Sequence, residues 1–138
     1  MLKPSFRNIL LYLLTKYIVF YVFMMFKNND FYFVNPGIRN GADLFYYLWI
    51  FLFLPVVCMF IFTAPLYFVF KKKNTIYFTL IIIVFLVAEY FIYTYFASQA
   101  NLMNGLYNEV IGLLMLFIFF FKYINLIFKR NKIITKPQ

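Results

Sequence analysis

LFYYLWIFLFLPVVCMFIFTAPLYFVF, Leu44 to Phe70, runs for 27 residues without a charged side chain. Spanning the ~30 Å hydrocarbon core of a bilayer takes roughly 20 apolar residues in a helix. A soluble core helix is rarely so long and so uniformly apolar. Strands of a membrane barrel would alternate in polarity every second residue, and this stretch does not. The stretch therefore reads as a transmembrane helix, and the rest of the chain must be read against that.

Three more apolar runs follow the same rule. The four runs cover residues 8–26, 44–70, 75–97 and 106–128. The chain has 138 residues, of which 66% are hydrophobic and 12% charged. A soluble domain carries roughly twice that charge, and a chain this short cannot bury so much apolar surface by itself. The expected fold class is an all-α membrane protein: one integral membrane domain over 1–138, with four transmembrane helices in an up-down bundle. The N-terminal run begins like a signal peptide, with Lys3 and Arg7 before LLYLL. No small-residue cleavage site follows, so the run reads as an uncleaved anchor.

The net charge of +9 is a topology signal. Lys3, Arg7, Lys71, Lys72, Lys73, Lys129, Arg130, Lys132 and Lys136 fall on one side if four helices alternate; Lys27 and Arg39 fall on the other. The positive-inside rule then places both termini in the cytoplasm. With no soluble surface to form a groove, nucleic acid is excluded as a partner. Lys71, Lys72, Lys73, Lys129 and Arg130 are the expected cytoplasmic contacts with anionic lipid, and Lys122, Asn125 and Lys129 form a stripe running to that surface.

Two charges lie inside the apolar runs. Lys16 is near the middle of the first and Glu89 is in FLVAEYFIYTYF, Phe85–Phe96, of the third. A charge at the helix centre costs ~3 kcal/mol. Asn8, Tyr12 and Lys16 share one helical face, as do Glu89 and Tyr93. Polar stripes turn inward in lipid, so Asn8, Tyr12, Lys16, Glu89 and Tyr93 are the candidate intramembrane polar layer. Lys16 and Glu89 differ in depth by about 6 Å at 1.5 Å per residue. A direct Lys16–Glu89 pair is feasible but not required, and water or the Tyr93 hydroxyl would bridge it. Two readings stay open: structural glue, or a polar path in which Glu89 exchanges protons.

Asp43 reads as the N-cap of the second helix and Glu109 as a first-turn charge of the fourth, both suited to the positive end of a helix dipole. Pro55, interior to the second run, predicts a kink. The loop 27–43 carries turn formers at Asn35-Pro36-Gly37 and Asn40-Gly41. Within it Asp30, Tyr32, Arg39 and Asp43 are the recognition candidates, against the plainer reading of a connector pinned to the interface.

The chemistry is spare. There is no histidine, and Cys58 is the single cysteine, so a Cys/His metal centre and an internal disulfide are both excluded. No HExxH, no serine–histidine set and no paired intramembrane aspartates exist. No catalytic residues and no cofactor are expected. The expected function is a small non-catalytic inner-membrane protein. It would act as an accessory or interaction subunit of a membrane assembly, or as an immunity-type protein. The alternative is an oligomeric channel or carrier for ions or small solutes. Besides the bilayer, the expected partner is another membrane protein or a second copy. The Phe, Ile, Lys, Asn and Tyr bias suggests an AT-rich bacterial gene.

Overall fold

The computed structural model describes residues 2–29, 40–72, 74–97 and 101–134, and their side chains except those of 97 and 130–134. Every described element is a helix. Four stretches are long and apolar enough to cross a membrane: Phe6–Asn28, Gly41–Lys72, Thr75–Phe96 and Leu102–Lys129. They are the first to fourth helices below, and the fourth continues to Ile134.

Local chemistry sets their ends. Ser5 caps the first helix by accepting from the Asn8 N–H at 3.3 Å. Asn29 stops it in the left-handed region at φ 51°, a conformation asparagine tolerates better than most side chains. The second helix is capped by Asn40, whose Oδ1 accepts from the Asp43 N–H at 2.9 Å. This corrects the expectation for Asp43: it lies inside the first turn, and its charge still faces the positive end of the dipole. Asn74 caps the third helix through the Tyr77 N–H. Before the fourth, Asn101 accepts from the Met103 N–H with its side chain and from the Asn104 N–H with its carbonyl. That helix therefore begins at Leu102, four residues before the apolar run. Glu109 is consequently not a first-turn charge; it lies about two turns in, on the inner face.

Pro55 acts through a change of helical register. Trp49–Phe53 forms a π turn, and the Leu54 N–H bonds the Trp49 carbonyl instead of the Ile50 carbonyl. Pro55 has no N–H to offer in its place. The Ile50 carbonyl is satisfied by the Tyr21 hydroxyl from the first helix, so a proline defect becomes a bond between helices. A second π turn, Tyr93–Ala97, ends the third helix. Pro65 is carried within a helix that continues to Lys72.

Cross-helix contacts define the topology. Phe6 meets Tyr67, and Tyr21 meets Phe51. Phe62 meets Phe85, and Phe70 meets Phe78. The Thr75 hydroxyl donates to the Ile127 carbonyl, and Lys27 donates to the Asn104 side chain. Each helix thus runs antiparallel to the next, and the fourth packs on both the third and the first. One end carries Lys3, Arg7, Lys71, Lys72 and Lys129; the opposite end carries Lys27 and Asp43.

The core is built from stripes spaced three or four residues apart. These include Ile9, Leu13, Tyr17 and Phe20; Cys58, Phe62, Leu66 and Val69; Phe78, Ile82, Phe85 and Glu89; and Leu116, Phe120, Ile124 and Ile127. Apolar side chains also cover the outside, with Phe60, Ile76, Val84 and Ile118 all more than 60% exposed. Such a surface is compatible with lipid. Between helices in lipid, burial of oil against oil contributes little, so packing and polar contacts must hold the bundle. Aromatic contacts supply much of the packing: Phe62 edge-on to Phe85 at 4.8 Å, and Phe70 tilted against Phe120 at 5.0 Å between ring centroids.

Candidate functional site

The polar groups of the bundle converge at one level. Lys16 projects from the first helix and Glu89 from the third, and both are completely buried. The Lys16 Nζ forms a direct ion pair with Glu89 Oε2. The Tyr17 hydroxyl donates to Glu89 Oε1 at 2.6 Å. Both oxygens of this carboxylate therefore receive a donor, which a charge buried in a low dielectric requires. The Lys16 ammonium also lies 5.3 Å from the Phe85 ring centroid and 5.5 Å from that of Tyr17, within cation–π range.

The direct pair exists because the fourth helix gives way. A Cβ added to Gly112 would lie 2.8 Å from Lys16 Cε and 2.9 Å from Nζ. The lysine stem runs across the bare backbone at this glycine, and that route brings it to Glu89 despite the offset in depth. One turn nearer the basic end, the Tyr12 hydroxyl donates to the Gly112 carbonyl at 3.2 Å, while the Tyr12 ring packs edge-on against Phe119 and Phe120. Tyr93, on the face shared with Glu89, stacks on Tyr17 with centroids 5.6 Å apart and an interplanar angle of 16°. It thus braces the tyrosine that reaches Glu89; the Lys16–Glu89 pair is direct, so the bridge foreseen for Tyr93 is not needed, and it is Tyr17 that bonds the second carboxylate oxygen.

Asn8 stands apart from this layer. Its side chain donates to the Lys3 carbonyl at 2.8 Å and belongs to the start of the first helix. It shares a face with Lys16 but lies eight residues away, about 12 Å along the axis.

The fourth helix contributes two groups that the sequence does not place in the polar layer. Asn108 is fully buried and Glu109 is 9% exposed. The Asn108 amide approaches Glu109 Oε1 at 3.5 Å, and Glu109 lies within electrostatic reach of Lys16 and Glu89. Gly105 and Gly112 bracket them. The first would press a Cβ against the Thr94 hydroxyl and the Tyr90 ring, the second against Lys16. The available signal was the face 105, 108, 109, 112, small or polar in a helix otherwise apolar at that depth.

The remaining candidates are dispersed. Asp43 is exposed at the end opposite the basic one. Asp30, Tyr32, Arg39 and Lys73 lie outside the described residues, as does the side chain of Arg130. Lys71, Lys72 and Lys129 are exposed, and Lys72 sits over the Tyr77 ring at 4.3 Å. Lys122 and Asn125 are exposed as well. An open groove of about 420 Å³ lies between the second and third helices near their π turns, lined by Phe45, Tyr46, Trp49, Tyr95 and Phe96. Among the described residues, no three His, Cys, Asp or Glu side chains come together as metal ligands would. Cys58 is a buried free thiol. No family model matches this chain, and neither a curated protein nor a solved structure is detectably similar to it.

Proposed function

We propose that this chain is a non-catalytic multi-pass protein of the bacterial inner membrane, with both termini in the cytoplasm. In this reading it serves as an interaction subunit of a membrane assembly or as an immunity-type protein. The observation that carries the proposal is the closure of the Lys16–Glu89 pair. Both side chains are fully buried, and Tyr17 occupies the carboxylate oxygen that Lys16 leaves. A pair so enclosed registers the first helix against the third and presents nothing to a passing solute. What it holds in place is an outer surface of large aromatic and aliphatic side chains, suited to contact with lipid and with another membrane protein.

The second reading, an oligomeric carrier, draws support from Glu109, a further buried carboxylate beside the pair. Intramembrane carboxylates mark ion and proton paths in many proteins. Ion and proton flux into liposomes reconstituted with the purified protein separates the two. The interaction reading expects flux no faster than in empty liposomes. It also expects a stoichiometric membrane partner that stays bound during purification from native membranes. Flux in wild type that Glu89→Gln and Lys16→Met each abolish, while the variants remain folded, would favour the carrier.

A further inference from the structure

Lys16 brings one positive charge into the layer, and Glu89 and Glu109 bring two carboxylates. With all three ionised the interior would hold an uncompensated negative charge, which a bundle in lipid does not tolerate without a counterion. The pairing of Lys16, Glu89 and Tyr17 is complete in itself, so the surplus falls on Glu109. The hydrogen bonding agrees. Glu109 Oε2 and Asn108 Oδ1 are buried acceptors that receive no donor from the described residues. The only contact between the two side chains runs from the Asn108 amide to Glu109 Oε1. Two orphan acceptors on adjacent side chains lack a single thing, a hydrogen to share.

We propose that Glu109 is a proton-binding site, holding one proton on Oε2 at neutral pH, with Asn108 as its amide partner. The protonated Oε2 becomes a donor available to Asn108 Oδ1, while the Asn108 amide faces Oε1. One proton thereby satisfies both orphans and neutralises the layer. The groups facing this site are few. The first helix offers Lys16 and Tyr12, and the third offers Glu89, with the Tyr90 ring and Thr94 hydroxyl one turn away at Gly105. The second helix reaches the fourth through Phe70 on Phe120, which carries no charge. The proton also has a consequence for the pair. Lys16 crosses the fourth helix at Gly112, three residues from Glu109 and on the same face. A neutral Glu109 leaves Lys16 committed to Glu89, and an ionised Glu109 competes for it. This holds whichever reading of the function is correct.

Glu89 and Glu109 are the only glutamates in the chain. Cell-free synthesis with carboxyl-¹³C glutamate therefore labels two carboxyl groups. Isotope-edited infrared spectra of the full chain in lipid bilayers, at pH 7 in sodium-free buffer, should show one carboxylic-acid band and one carboxylate band of equal label. Glu109→Gln should remove the acid band and keep the carboxylate. It should melt at the wild-type temperature or above, since its amide supplies the missing donor, whereas Glu109→Ala should melt lower. If Glu109→Gln does not fold, the double variant Lys16→Met/Glu89→Gln carries Glu109 as its single glutamate and should show the acid band alone. The proposal is overturned by two carboxylate bands in wild type, by an acid band that survives Glu109→Gln, or by an acid band that NaCl converts to carboxylate. The last result would mark a site for a metal cation.

Discussion

Lys16 and Glu89 each hold the other's charge in a place where no water can, so the cost of removing one is the cost of stranding the other. Breaking a buried pair in this way typically costs about 3–5 kcal/mol, whereas replacing both partners by neutral groups of similar size is close to neutral. Lys16→Met and Glu89→Gln should each be strongly destabilising in denaturant or heat melts in detergent, and the double variant should recover most of the loss. Additive losses would mean that the two side chains do not act as a pair. Tyr17→Phe deprives Glu89 Oε1 of its donor and should cost about 1–3 kcal/mol in the same melts. Gly112→Ala places a methyl against the Lys16 stem, and overpacking of this kind costs about 1–3 kcal/mol. Both charges of the pair were legible in the sequence, because a charge in an apolar run stands out. Tyr17 was not, since it neighbours Lys16 in the chain and points some 100° away around the helix. Its role exists only once a third helix comes alongside. Glu109 was misread for a related reason. The apolar pattern starts at Leu106, but Asn101 caps the helix earlier, and four residues of extra helix turn an end charge into an interior one.

At the scale of the element, the second helix shows how a local defect becomes a tertiary bond. Pro55 predicts a break, and the helix answers with the π turn Trp49–Phe53 and an Ile50 carbonyl that looks outside its own helix for a donor. Tyr21 supplies it. Tyr21→Phe should then cost about 1 kcal/mol in an otherwise wild-type chain. It should cost less in a Pro55→Ala background, where residue 55 can donate and the helix can close its own ladder. Equal losses in the two backgrounds, measured by equilibrium unfolding, would show that the Tyr21 bond is independent of the proline. The boundaries of the first three helices lie within three residues of the apolar runs, whereas the fourth helix outruns its own by four residues at the start and six at the end. The caps that move them, Ser5, Asn40, Asn74 and Asn101, are short polar side chains whose importance depends on which neighbouring N–H groups lack a partner.

At the scale of the whole molecule, alternation of four helices leaves lysines and arginines crowded at one end. If the positive-inside rule governs insertion, a fluorescent protein fused to either terminus should fold and emit in the cytoplasm. Alkaline phosphatase inserted in the 30–39 segment should be active in the periplasm. The reverse pattern would invert the proposed orientation.

Composition and hydropathy alone determined that this chain makes four membrane-length helices, because transfer into lipid depends on the sum of side chains along a segment and hardly on what they touch. The same arithmetic flagged Lys16 and Glu89 as costly. Which groups offset that cost was decided only by tertiary structure. Ion pairing and hydrogen bonding act over about 3 Å, a distance set by how the helices pack, by the missing Cβ at Gly112 and by the stacking of Tyr93 on Tyr17. The buried layer of Lys16, Glu89 and Glu109, with two acceptors that receive no donor from the described residues, is a property of that packing.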